Sequence, residues 1–303
     1  MEPKKIIFDT DLGGDCDDVV ALDLLLSAHK AGECSLIGVS YSYTTRTSVG
    51  CIHAILKQHG CADIPIARMD IPAGIKEYPG TYATPVVDKF GDENTPTYDN
   101  TEEAVHFLRR LLAENTGVTL VVTGSMSNLC GLIASPADDL SPLNGIELMK
   151  RSVAEVAVMG CNFWHENASN PDPNYIAADG TLNPVCEWNI FCDIPGARYA
   201  FDNCPVPLVC SPFELGFNMF SGGDMCRRGK GDRPDRPLIS PQRTDVVRAA
   251  FLRHDNRHMA RIQHRQVGQE PRQSPVAVEK RMDPDKRNVC AKIGLQRRLL
   301  VCV

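Results

Sequence analysis

The stretch Phe8-Asp9-Thr10-Asp11-Leu12-Gly13-Gly14-Asp15-Cys16-Asp17-Asp18 places five carboxylates within ten residues, between an apolar segment and a helix-like run. The apolar segment predicts a buried strand, and the run from Val19 to Leu26 predicts a helix. Two glycines in the connecting turn let the chain fold back tightly, because glycine tolerates positive φ angles. A strand, a tight turn and a helix in this order predict that several acidic side chains point at one place.

Five like charges at one place repel each other unless a positive charge lies among them. Hard divalent cations take oxygen ligands, and Ca²⁺ accepts several carboxylates together with backbone carbonyls and water. The acidic turn therefore predicts a metal site, with Ca²⁺ as the cation. The alternative is a solvated acidic turn that only caps the helix, since aspartates are favourable at a helix N-terminus.

The first part of the chain alternates short apolar strands with helices. Lys5 to Phe8 predicts the first strand, and Asp17 to Ala31 predicts the first helix, with Gly32 as its C-terminal cap. Val118 to Val122 is a continuous apolar run of the kind found inside a parallel sheet. We therefore expect an α/β fold with a mostly parallel central sheet flanked by helices, in a Rossmann-like arrangement. Ligands bind at the carboxyl ends of the strands in such sheets, so the turn after Val122 is expected at the same edge as the acidic turn.

Three further segments carry local predictions. Residues 70–100 are rich in Pro, Gly, Tyr and Asp, which predicts a long loop. The sequence Thr101-Glu102-Glu103-Ala104 approximates a capping box, which predicts that a helix begins at Thr101. Trp164 and His165 lie in a polar loop after a buried strand, where they either stack on or protonate a nucleobase, or only pack locally.

Composition limits the class of protein. A chain of 303 residues, 43% hydrophobic and 23% charged, is long enough to bury a large core. Met1 to Lys5 leads directly into a strand, and no apolar run reaches the roughly 18 residues that a membrane span needs. Thirteen cysteines without a C-x-x-C pair indicate neither a zinc knuckle nor a disulfide framework. We expect a soluble, cytoplasmic protein with no membrane partner.

Charge divides the chain into two parts. Residues 1–226 carry 13 Lys and Arg against 30 Asp and Glu, a balance of −17, whereas residues 227–303 carry 19 against 8, a balance of +11. Apolar periodicity also fades after about Met225. We therefore expect an α/β domain over residues 1–230 and a basic, poorly patterned tail over residues 231–303.

One polar segment has the composition of a sugar site. Asn183-Pro184-Val185-Cys186-Glu187-Trp188-Asn189 presents three hydrogen-bonding side chains at short spacing. Ribose hydroxyls both donate and accept hydrogen bonds, so amide and carboxylate groups of this kind suit them. The segment predicts a ribose contact.

These motifs together resemble the inosine/uridine-preferring nucleoside hydrolase family. The family begins with Asp-Thr-Asp, a Gly-containing turn and Asp-Asp before an apolar helix, as residues 9–18 do here. Its Gly-x-x-Thr-Asn turn is similar to Gly124 to Asn128, and its Asn-x-x-x-Glu-Phe-Asn segment is similar to Asn183 to Asn189. The resemblance covers roughly residues 5–230, and it implies the nucleoside hydrolase fold and hydrolysis of ribonucleosides to free base and ribose by a metal-activated water.

The resemblance also implies roles for individual residues. Asp11 would be a metal ligand and the general base, Asp18 a metal ligand, and the backbone carbonyl of Ser127 a third ligand. The ribose contacts would be Asp17, Asn183, Glu187 and Asn189. The chain departs from the commonest form of the motif by carrying Gly14-Asp15-Cys16 where a single residue is usual, and this leaves Asp15 without a role.

The last quarter of the chain departs from the family. The resemblance calls for an aspartate ligand there, within His-Asp-Pro or Ser-Trp-Asp before an apolar helix. Asp255 is either that ligand or a solvated charge in a basic stretch. Codons for residues 232–240, read one nucleotide later, can encode Thr-Asp-Pro-Ile-Ala-His-Ser-Tyr, which resembles a family strand. We infer a frameshift near Lys230 to Asp232, which would leave the C-terminal part disordered or incomplete.

Three functions remain open from the sequence. The first is a nucleoside hydrolase that binds small-molecule ribonucleosides and forms a homo-oligomer if it folds properly. The second is a catalytically impaired nucleoside or ribose binder of the same family. The third is a nucleic-acid-binding module built on the arginine-rich tail. We expect no nucleic-acid partner, because the tail lacks interleaved aromatic residues.

Overall fold

The computed structural model describes residues 2–71, 74–162 and 187–218. Within these ranges, seven strands form one sheet in which every neighbouring pair is parallel. The strands are β1 (Lys4–Thr10), β2 (Cys34–Tyr41), β3 (Ile66–Arg68), β4 (Glu102–Glu103), β5 (Val118–Val122), β6 (Val153–Met159) and β7 (Leu208–Ser211). Their order across the sheet is β4-β3-β2-β1-β5-β6-β7. The predicted α/β fold with a parallel central sheet is confirmed.

Helices connect the strands and cover the sheet. They are α1 (Asp17–Ala31), α2 (Ser48–Gln58), α3 (Ala83–Phe90), α4 (Ala104–Glu114), α5 (Ser127–Ala134), α6 (Gly145–Ser152), α7 (Trp188–Cys192), α8 (Ile194–Asn203) and α9 (Phe213–Asn218). Gly32 adopts a left-handed conformation with φ of 75° and caps α1, as the sequence predicts.

Two apolar cores lie on opposite faces of the sheet. Side chains alternate between the faces of a strand, so Ile7 joins one core and its neighbour Phe8 joins the other. The core around Ile7 contains residues from α4, α5 and α6. The core around Phe8 contains residues from α1, α2 and α3. Burial on both faces explains why the strands read as continuous apolar runs.

Two local predictions are wrong. Residues 70–100 are not one long loop, because they contain α3 and a short 3-10 helix over Tyr98–Asn100. The helix predicted from Thr101 begins at Ala104 instead, because Glu102–Glu103 pairs with β3 as a strand. The Glu103 carboxylate then caps the helix by accepting from the Val105 and His106 amides at 2.9 and 2.8 Å.

The expectation that no segment spans a membrane can be compared with the structure only for the described residues. Within them, no helix combines the length and the apolar character that crossing a membrane requires. Residues 219–303 lie outside the described ranges. The boundary near residue 230, the frameshift and the role of Asp255 therefore stay predictions.

Candidate active site

The acidic turn lies at the point where the connections of the sheet change direction. From β1 the chain proceeds outward through β2, β3 and β4, then returns to the other side of β1 to form β5, β6 and β7. The crevice at the carboxyl ends of β1 and β5 is the place where open α/β sheets bind ligands. Asp11 follows β1 and Thr123 follows β5, and the Thr123 amide donates to the Asp9 carbonyl at 2.8 Å.

The turn between β1 and α1 is held in one conformation by its neighbours. Gly13 has φ of 134°, and a Cβ at this position would lie 2.5 Å from Ser48 Oγ. The Gly13 amide donates to Tyr82 Oη at 2.9 Å, and its carbonyl accepts from the Thr81 amide at 2.8 Å. A side chain at this glycine would therefore both strain the backbone and collide with α2.

Four carboxylates converge on this turn, where burial and charge repulsion raise the pKa values of Asp11, Asp15 and Asp18. Burial, followed by repulsion from Asp18, holds the pKa of Asp11 well above its ordinary value. Burial, followed by repulsion from Asp17, raises the pKa of Asp18 to about 6, although hydrogen bonds with Asp11, Thr123 and Thr10 lower it. Burial and Asp17 likewise raise the pKa of Asp15. The strongest influences on these groups are burial and other carboxylates, so negative charge here is poorly stabilised by the protein itself.

The oxygen donors at this turn fit a hard divalent cation in their chemistry. Within the described ranges, no group of three or more His, Cys, Asp or Glu side chains is arranged to hold a metal ion. The hydrogen-bonded pair Asp11 and Asp18 supplies two carboxylates. Asp17 is exposed at the first position of α1, beside rather than within this pair.

Ser127 begins α5 and uses its hydroxyl to hold another helix. Its Oγ donates to Asp193 Oδ2 at 2.8 Å, and Asp193 is fully buried where it caps α8. Because the hydroxyl is used in this way, only the backbone carbonyl of Ser127 remains for the predicted ligand role. That role stays a prediction.

Asp9 is a buried site residue to which the sequence analysis gives no role. Its Oδ2 accepts from Ser40 Oγ at 2.5 Å and from Asn128 Nδ2 at 2.7 Å, whereas its Oδ1 has no hydrogen-bond partner among the described residues. Burial raises the pKa of Asp9 to about 6 against the effect of these hydrogen bonds. Asp9 thereby joins β1, β2 and α5 directly beneath the acidic turn. An acidic residue within a buried strand indicates that its carboxylate has hydrogen-bond partners, but the sequence does not show which residues they are.

Glu187 and Asn189, predicted as ribose contacts, lie at the same edge of the sheet. Glu187 is 5% exposed and caps α7, accepting from the Asn189 and Ile190 amides at 2.9 and 3.1 Å. Asn189 Nδ2 donates to the carbonyl of Thr123 at 2.8 Å and to that of Met159 at 3.2 Å. These bonds tie α7 to the carboxyl ends of β5 and β6. Asn183, Trp164, His165 and Asp255 lie outside the described residues.

A half-buried tyrosine after β2 approaches the site from the other side. Burial raises the pKa of Tyr43, and Cys192 and Asp11 are the next largest causes, which places this phenol near both α7 and the acidic turn. Tyr78 packs edge-on against it, with 5.8 Å between the ring centroids. This aromatic pair could not be predicted from the sequence, because the two residues are far apart along the chain.

Comparison with solved structures shows the same fold elsewhere. The effector protein XOO4466 is 16% identical with a TM-score of 0.59, and the match covers 90% of this chain and 71% of that one. An inosine-guanosine nucleoside hydrolase is 17% identical with a TM-score of 0.52, covering 82% and 72%. The type III effector XopQ, complexed with adenosine diphosphate ribose, is 20% identical with a TM-score of 0.47. That match covers 69% of this chain and 58% of the length of XopQ. At these identities the likeness to XOO4466 and to the inosine-guanosine nucleoside hydrolase shows the fold alone.

Comparison of sequences identifies a family for this chain but no individual curated relative. No curated protein gives a significant match. The family model described as inosine-uridine preferring nucleoside hydrolase matches residues 6–274, which include the acidic turn, the start of α5 and the segment at Glu187. This range covers most of the chain and runs past residue 230. The chain belongs to the inosine-uridine preferring nucleoside hydrolase family.

Proposed function

We propose that this chain hydrolyses the N-glycosidic bond of ribonucleosides to free base and ribose, using Ca²⁺ as its divalent cation. The observation that carries the proposal is the convergence of buried and half-buried carboxylates at the carboxyl ends of β1 and β5, with the pKa values of Asp11, Asp15 and Asp18 raised by burial and repulsion. Perturbed carboxylates in such a crevice are typical of functional sites. The family is generally metal-dependent and acts on small-molecule nucleosides.

The cation would be held by three groups at this crevice. They are the carboxylates of Asp11 and Asp18 and the backbone carbonyl of Ser127. When bound, a divalent cation lowers the pKa of water and orients it beside the substrate. Asp18 is 4% exposed, so its charge needs a partner when the site is ionised.

Asp11 would act as the general base. A base works best when its pKa is near the working pH, and burial and Asp18 raise the pKa of Asp11 in that direction. Asp11 would accept the proton of the water that attacks C1′ of the sugar. The transition state of glycoside cleavage is oxocarbenium-like, so carboxylates beside the ring also stabilise its developing positive charge.

The ribose would be held by Asp17, Asn183, Glu187 and Asn189. Asp17 is exposed at the start of α1 and so is accessible to a hydroxyl group. The side-chain Nδ2 of Asn189 already donates to backbone carbonyls, so we assign its Oδ1 to the sugar. Glu187 is buried at the same edge of the sheet, with its Oε1 held by the Asn189 amide and its Oε2 by the Ile190 amide.

Ribose release from inosine and uridine tests the proposal. The substitution Asp11→Asn preserves shape but removes the base, so turnover should fall by about 10²- to 10⁴-fold. Asp88→Asn removes an exposed carboxylate on α3 and should leave turnover unchanged. Wild-type protein that binds inosine without releasing ribose would contradict the proposal and support the impaired binder. Equal turnover by Asp11→Asn and wild type would refute the role of Asp11.

Two further aspects belong to this proposal. We propose that the folded protein is a homo-oligomer, which light scattering after size-exclusion chromatography tests: a monomer mass would contradict it. We also propose a cytoplasmic location, which subcellular fractionation tests. Both rest on the sequence and on the family resemblance.

A further inference from the structure

Two cysteines meet at the ends of the neighbouring strands β6 and β7. Cys161 follows β6, and Cys210 lies within β7 opposite Val158. Their Sγ atoms are 3.9 Å apart. Cys210 is buried and Cys161 is half-buried, so a small reagent can approach the pair from the Cys161 side.

The backbone of Cys161 is unusual. With φ of 75°, it is the one non-glycine residue of the described ranges in the left-handed region. A side chain there strains the backbone, and a glycine would avoid this strain. This conformation coincides with the contact between the two sulfurs. A strained position occupied by a reactive side chain therefore points to a role for that side chain.

Cys161 is also linked to the proposed ribose contact. The backbone just before Cys161 lies against the Glu187 carboxylate, since a Cβ built at Gly160 would be 3.6 Å from Glu187 Oε2. Burial raises the pKa of Glu187, and a backbone hydrogen bond from Cys161 is among the causes that lower it. The carbonyl of Cys161 accepts from the Phe213 amide at 3.0 Å. A change in the position of Cys161 would therefore change a hydrogen bond to Glu187.

We propose that Cys161 and Cys210 form a dithiol pair that a peroxide oxidises to a disulfide, and that this bond alters the hydrogen bond from Cys161 to Glu187. The disulfide itself is independent of the catalytic proposal. Its effect on nucleoside affinity rests on the proposed function.

The chemistry of the pair suits this oxidation. The Cys161 thiol lowers the pKa of Cys210, although burial raises it, so the pair gives up its first proton more readily than an isolated buried thiol. The resulting thiolate attacks one oxygen of hydrogen peroxide, the O–O bond breaks, and hydroxide leaves to take the proton of the other thiol. The second sulfur then attacks the sulfenic sulfur, the S–O bond breaks, and the leaving hydroxide takes a proton from solvent. Two thiols and one peroxide give one disulfide and two waters.

Peptide mapping by mass spectrometry tests the pairing. The folded full chain is treated with limiting hydrogen peroxide, its remaining thiols are blocked, and it is digested without reductant. We expect a peptide pair joined through Cys161 and Cys210, lighter by two hydrogen atoms and separated by reductant. Cys210→Ser should abolish the joined pair. Cys130→Ser, which removes a half-buried thiol with its pKa raised to about 11, should leave it intact.

Two mapping results would overturn the inference. The first is that Cys161 and Cys210 both remain thiols, and so carry the blocking reagent, after other cysteines have been oxidised. The other is Cys161 joined to a different cysteine while Cys210 remains a thiol.

Calorimetry with inosine tests the effect on Glu187. Oxidised and reduced wild type should differ roughly two- to tenfold in affinity, the range that one gained or lost hydrogen bond gives. Cys210→Ser should show no difference after the same treatment. Equal affinity in fully disulfide-bonded and reduced wild type would overturn the link to Glu187. Absence of inosine binding in both states would instead refute the proposed function, while the mapping would still decide the disulfide.

Discussion

Glu187 should make the stability of the folded protein depend on pH. Burial raises its pKa from 4.5 to about 7, against four backbone hydrogen bonds that lower it. At about 1.4 kcal/mol for each pKa unit, this rise corresponds to about 3 kcal/mol. Since the folded pKa is raised, the folded state holds the proton more tightly than the unfolded state. The contribution is therefore fully present below pH 4.5 and is lost as the pH rises through 7.

The substitution Glu187→Gln isolates this contribution. Glutamine cannot ionise, so the variant lacks the pH-dependent part and carries only a constant cost from losing one of the two caps on α7. The free energy of unfolding is measured by urea denaturation between pH 4 and pH 8 for both proteins. The difference, wild type minus variant, should fall by about 3 kcal/mol across this range. Other carboxylates titrate in both proteins and cancel.

A matched control and two contrary results make the test decisive. Glu93→Gln removes an exposed carboxylate, and its difference from wild type should be flat with pH. A flat difference for Glu187→Gln would show that burial does not perturb this group. A difference that rises with pH would show that the backbone donors outweigh burial and that Glu187 is stabilised as a carboxylate.

Three other predictions concern the core, the sugar and the tail. Arg109→Lys should lower the free energy of unfolding by about 3 kcal/mol, because the buried Arg109 guanidinium binds Asp138 through two nitrogens. Arg110→Lys on the same helix should lower it by less than about 1 kcal/mol. Equal losses in urea denaturation would contradict this prediction. Inosine should bind more tightly than 2′-deoxyinosine, because a pocket built for hydroxyls leaves polar groups unpaired when one is missing, and equal affinities by calorimetry would refute it. If the tail is out of frame, removing one nucleotide near codon 231 should raise both the melting temperature and turnover, provided that the restored sequence supplies the missing ligand. The frameshift would be disproved if the original chain melts cooperatively, resists protease and is active.

Much of the fold could be predicted because local signals agreed with tertiary structure. The apolar runs at β1 and β5 are buried on both faces, so their composition alone indicates parallel strands. α1 has acidic residues in its first turn and Gly32 at its end, and its bounds match the prediction. α3 was missed because Pro85 and the surrounding Gly and Tyr residues indicate a loop, whereas packing of Val86 into the core decides for a helix.

The candidate site could be predicted only in part, because its partners are distant in sequence. The aspartates of the acidic turn lie together along the chain, so their convergence follows from one tight turn. Asp9 depends on Ser40 and Asn128, which are 31 and 119 residues away. The contact from Ser127 to Asp193 likewise spans 66 residues and depends on where α8 packs. Such contacts follow from the strand order, which the sequence pattern alone did not establish.

The rate of ribose release from inosine, followed on one sample as Ca²⁺ is removed and restored, tests the account most directly. Chelation should leave Asp11 and Asp18 without the cation that stabilises their charge, so the rate should fall to the uncatalysed background. Restoring Ca²⁺ should recover it. A rate that is indifferent to the chelator, or no ribose release in saturating Ca²⁺, would contradict the account.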